Sequence, residues 1–99
     1  MFYNTAITNG DSHTYTTTTD TTFALGSHCV RVGGAAASTS GLAVAGNNIL
    51  TITGATNGDG GKGTVVKFVN MTGTTNGWAV EAVTTNQGNG STDGTIAFS

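Results

Sequence analysis

Large hydrophobic residues are densest between Thr64 and Val83. Val65, Val66, Phe68 and Val69 make one β-branched and aromatic run, and Trp78, Val80, Ala82 and Val83 make a second. Between them, Met71 to Gly77 is rich in Gly, Thr and Asn, so the pattern predicts strand, loop, strand. If Lys67 lies opposite Glu81, the same register pairs Val66 with Ala82, Phe68 with Val80 and Asn70 with Trp78. That arrangement gathers apolar side chains on one face and joins opposite charges on the other. The second face also carries Val65 opposite Val83 and Val69 opposite Ala79, so both faces call for cover. Few large apolar residues remain to provide it, and part of the cover is expected from another subunit.

The rest of the chain reads as shorter strands. Phe2 to Thr8 predicts a first strand, closed by the turn signal Asn9-Gly10-Asp11. His13 to Thr19 predicts a second, in which threonines and Tyr15 leave neither face aliphatic, as suits an edge or an outer face. Thr22 to Leu25 and Cys29 to Val32 form a possible hairpin around Gly26-Ser27-His28. Leu42 to Ala45 and Ile49 to Thr53 predict a tight hairpin around Gly46-Asn47-Asn48. Gly34 to Gly41 reads as a loop, Gly54 to Gly63 as a long exposed loop, and Thr84 to Asp93 as another. Thr95 to Phe98 makes a closing strand with Ile96 and Phe98 on one face. Thr-Asn-Gly recurs at Thr8, Thr56 and Thr75, but the unequal spacing defines no repeat. Convincing helical periodicity is absent. The expectation is one all-β domain over residues 1–99, a small antiparallel β-sandwich or barrel of seven to nine short strands.

Composition adds the reason for expecting outside support. The chain of 99 residues has 21 threonines, 16 glycines and no proline, and only 8% of it is charged. A chain of this size buries a small core, and the glycines raise the entropy lost on folding. Three basic residues, Arg31, Lys62 and Lys67, with a net charge of -2 cannot neutralise a phosphate backbone, so nucleic acid is not an expected partner. No apolar run is long enough for a membrane-spanning helix, and Met1 to Thr5 shows no secretion signal. The single Cys29 allows no intrachain disulfide, consistent with synthesis in a reducing compartment.

Candidate chemistry is sparse. Zinc would accept His13, His28 and Cys29, but a structural site takes four ligands, and adjacent strand residues point to opposite faces. Nucleophilic catalysis by Cys29 with His13 has no spacing signal behind it. Asp11, Asp20, Asp59 and Asp93 sit at turns, where they hydrogen-bond the local backbone, and Glu81 is the partner of Lys67. Asn57-Gly58-Asp59-Gly60 lacks the spaced ligands of a calcium loop, and Gly61-Lys62-Gly63-Thr64 lacks the P-loop spacing. Asn70-Met71-Thr72 and Asn89-Gly90-Ser91 match the glycosylation pattern, without a secretory route to use it. Thr14-Tyr15-Thr16 and Thr51-Ile52-Thr53 resemble ice-binding triplets, but they are scattered. No catalytic group, cofactor or metal is therefore expected, and no enzyme. Tyr15, Val65, Val69, Trp78 and Phe98 are the candidate interface with another subunit or a larger assembly.

The end of the chain carries a likeness. Asn76-Gly77-Trp78-Ala79-Val80-Glu81-Ala82-Val83, a Gly-Asn loop and Gly94-Thr95-Ile96-Ala97-Phe98-Ser99 resemble small Gly/Thr-rich β-proteins of tailed-bacteriophage virions, head-decoration (cement) proteins above all. The likeness covers about the last quarter by motif and the rest by composition. It implies a non-enzymatic virion protein that binds the outer face of a capsid, often as a trimer, and clamps the major capsid protein lattice. A carbohydrate-binding or adhesive fibre or spike subunit is the alternative, and a self-assembling extracellular filament protein the third.

Overall fold

The computed structural model describes residues 1–8, 10–17, 22–32, 40–43, 46–54, 60–71, 77–85 and 95–99. Seven strands are formed: β1 (Ser12–Thr16), β2 (His28–Val32), β3 (Ser40–Leu42), β4 (Ile49–Thr53), β5 (Val65–Asn70), β6 (Trp78–Thr85) and β7 (Thr95–Phe98). They make a three-stranded sheet, β1-β4-β7, and a four-stranded sheet, β3-β2-β6-β5. The protein is all-β and sandwich-like, with no helix among the described residues.

Alternation of side chains builds the core. β4 turns Leu50 and Ile52 inward, β2 turns Cys29 inward, β6 turns Val80 and Ala82 inward, and β5 turns Val66 inward. These meet Tyr3, Ile7, Phe23 and Ala43 in one cluster, with Tyr15, Phe68, Trp78, Ile96 and Phe98 packed around it. Two aromatic contacts bind the layers, Phe23 against Phe98 at 5.4 Å and Tyr15 against Phe68 at 5.2 Å between ring centroids.

The central hairpin has the register that charge pairing implies. Lys67 faces Glu81, Phe68 faces Val80 and Asn70 faces Trp78. Elsewhere the pairing departs from nearest neighbours. Phe2 to Thr8 is not a regular strand; its first residues lie against the start of β5, held by Val66 N donating to Met1 O (2.8 Å), Tyr3 N to Thr64 O and Gly63 N to Tyr3 O, and Ile7 lies against Gly60. Residues 22–25 and β2 do not form a hairpin. Phe23 instead bridges to Trp78, and β2 pairs in parallel with β6, Cys29 beside Ala82 and Val30 beside Val83. Nor do residues 42–45 and β4 form one, since β3 pairs with β2 in one sheet and β4 lies between β1 and β7 in the other. In both cases burial on two layers outweighs the short connection that a local hairpin offers.

In the segment expected to be a long exposed loop, Gly54, Gly60 and Gly61 are buried while Lys62 is exposed. Ile7 packs between Gly54 and Gly60, and its N–H donates to Gly60 O at 2.9 Å. A methyl group on Gly60 would come within 2.7 Å of Ile7 Cγ1, and Gly60 has a φ of +68°, so this close approach requires glycine. The expected loops at Gly34–Gly41 and Thr84–Asp93 fall mostly outside the described residues. At their described ends, Ser40–Gly41 belongs to β3 and Thr84–Thr85 to β6.

Candidate functional site

Two surfaces stand out. The first is the outer face of the four-stranded sheet. Because neighbours in a ladder share a face, Phe2, Val65, Val83 and Val30 form an apolar row that crosses the sheet. Val65 and Val83 remain 42% and 46% exposed. Beside that row runs a polar one, Lys67, Glu81 and His28, in which the Lys67 ammonium lies 4.0 Å from Glu81 Oε2. Val69, exposed opposite Ala79, and Val32, exposed beside Thr85, extend the apolar surface on either side.

The second surface is a groove along β1. At one end it has a volume of about 600 Å³ and is lined by Thr14 to Thr17, Phe23, Phe68 and Trp78. At the other, a second hollow of about 600 Å³ lies between Ser12 to Tyr15 and Met1 to Thr5. Thr14 and Tyr15 line both. The phenols of Tyr3 and Tyr15 are hydrogen-bonded at 2.5 Å, and the Tyr3 ring stands edge-on to His13. Burial first, and then this bond, hold the Tyr3 phenol well above its ordinary pKa.

The sequence-selected residues therefore divide. Val65 and Val69 lie together on the outer face. Tyr15 and Trp78 line the groove, while Phe98 packs against Phe23 between the sheets. Val30 and Val83 were not selected although they share the outer face with Val65. The predicted pairing of Val65 with Val83 was the signal for Val83, whereas Val30 joins only through the parallel ladder.

Among the described residues, no three His, Cys, Asp or Glu side chains come together as metal ligands. Cys29 is fully buried, and burial pushes its thiol up to about 12, so it is not an available nucleophile at neutral pH. His28 and Cys29 occupy opposite faces of β2, His28 with its Nδ1 at 2.9 Å from Gly26 O. Asp11 sits at a turn, its N–H donating to Thr8 O; Asp20, Asp59 and Asp93 lie outside the described residues. The threonine triplets are less scattered than their sequence positions imply, for Thr14 pairs with Thr51 and Ser12 with Thr53 on the outer face of the three-stranded sheet. Ile49 and Ala97 interrupt that array. No helix among the described residues is long and apolar enough to cross a membrane.

Comparison with known proteins identifies no relative. No family model, no curated protein and no solved structure matches the chain.

Proposed function

We propose that this protein is a non-enzymatic virion structural protein of the head-decoration type, which binds the outer surface of a capsid and stabilises the shell. The observation that carries the reading is the apolar row Phe2–Val65–Val83–Val30, left half-exposed beside the Lys67–Glu81–His28 row. An apolar stripe with a polar border matches the anatomy of a protein interface. A subunit that binds only the assembled lattice stabilises that lattice by mass action, and no catalytic group is needed. The likeness at the end of the chain supports the same reading.

Co-sedimentation with assembled phage heads tests it. Binding by the native chain and its loss in Val83→Lys, with the fold retained, is the expected result; equal binding by both would count against the outer face. A carbohydrate-binding role is favoured by one observation, the aromatic lining of Tyr15, Phe68 and Trp78, and glycan-array binding would support it instead. Long polymers by negative-stain microscopy would favour a filament.

A further inference from the structure

We infer that the free edge of β1 is a docking site for an extended arm of a partner protein, which adds to the three-stranded sheet as a fourth strand. The hydrogen-bond phase of β1 shows which groups face that edge. Gly54 N donates to Asp11 O at 3.0 Å and Thr17 N donates to Asn48 O at 2.9 Å, so odd-numbered residues face β4. Ser12, Thr14 and Thr16 consequently direct their backbone N–H and C=O groups away from the sheet. Among the described residues nothing pairs with them, and they form a row of donors and acceptors repeating every two residues, about 6.8 Å apart.

Edges of this kind are ordinarily shielded by charge, proline, shortness or a covering segment. Met1 to Tyr3 covers the first two residues of the β5 edge, Val65 and Val66, and β3 and β7 have only 3 and 4 residues. β1 has 5 residues with no Lys, Arg, Asp, Glu or Pro among them. Beside its free edge lies the groove described above, floored by Met1 to Thr5 at one end and by Phe68 and Trp78 at the other. An added strand fits both features, since its backbone completes the ladder while alternate side chains enter the groove. A saccharide would stack on the rings without matching the strand-spaced amides.

The lining names the arm's chemistry. Among the described residues, the groove carries no acidic side chain and no Lys or Arg, and the Met1 ammonium donates to Val66 O at 2.7 Å, so the arm is uncharged with large apolar residues at alternate positions. Among the described residues, the segments at Met1 and at Ser99 are already paired and do not supply the arm. Met1 to Tyr3 is bonded to β5, and Ser99 exchanges hydrogen bonds with Ile49. This inference does not depend on the capsid reading.

The test uses the whole chain and a capped heptapeptide alternating threonine and valine, N-methylated along one edge so that it pairs on one side only. Amide exchange at Thr14 and Thr16 is expected to be fast in the free protein and to slow by about tenfold or more with the peptide. Thr14→Pro, which removes an N–H outside the β1–β4 ladder, is expected to stay folded and lose the peptide. A failure to bind at millimolar peptide, or unchanged binding by a folded Thr14→Pro, would overturn the inference. So would cellohexaose perturbing the Phe68 and Trp78 rings while Thr14 and Thr16 stay unprotected, which would make the groove a sugar site. A dimer seen by sedimentation and abolished by Thr14→Pro would make the occupant a second copy and also overturn it.

Discussion

Thr84 is fully buried and its hydroxyl has no hydrogen-bond partner among the described residues. Replacing an unsatisfied hydroxyl by a methyl of similar size removes a desolvation cost, so Thr84→Val should stabilise the fold by about 1 kcal/mol in urea denaturation. Gly60→Ala should do the opposite. It forces alanine into a positive φ and against Ile7, and a loss of about 1–3 kcal/mol is expected. Cys29 sets a pH dependence. Its thiol ionises near 9 when unfolded but only near 12 in the native chain, so the folded state holds the proton longer. That contribution is complete below pH 9 and is lost as pH rises towards 12; the raised Tyr3 phenol acts in the same direction. Urea midpoints measured across this range should fall, and less steeply in Cys29→Ala.

Among the elements, the β5–β6 hairpin was readable because two independent signals agree on its register, the Lys67–Glu81 pair and the apolar partners around it. Its ion pair is nonetheless a marker of register more than a source of stability. Both side chains are over 60% exposed and 4.0 Å apart, so a double-mutant cycle on Lys67 and Glu81 should give a coupling of about 0.5 kcal/mol or less. The edge position of β1 was readable from its lack of aliphatic side chains, and β7 from Ile96 and Phe98. The β2–β6 pairing was not readable, because parallel ladders leave no turn between their strands, and Phe2–Thr8 has strand-like residues but bonds mostly to Gly60, Gly63 and Thr64, which belong to no strand. Sequence placed Tyr15, Val65, Val69, Trp78 and Phe98 in one interface, whereas the strand faces separate them. Alternation tells which residues share a face, but not which face of a two-layer fold looks outward.

For the whole molecule, the segment Met1–Tyr3 covers the start of the β5 edge and inserts the buried Tyr3 ring into the core. Deleting these three residues should lower stability by about 3 kcal/mol or more and increase aggregation, read by thermal melting and light scattering. In the native chain, Trp78 is only half-buried and several valines are exposed, so assembly on a partner should raise the melting temperature in a concentration-dependent way. The topology also governs how the fold is reached. β2 can complete its sheet only when β6, late in the chain, arrives in parallel beside it. Most of the polypeptide must therefore leave the ribosome before the layer containing Cys29 can close, and a nascent chain arrested before Trp78 should remain protease-sensitive and dependent on chaperones, whatever the stability of the finished protein.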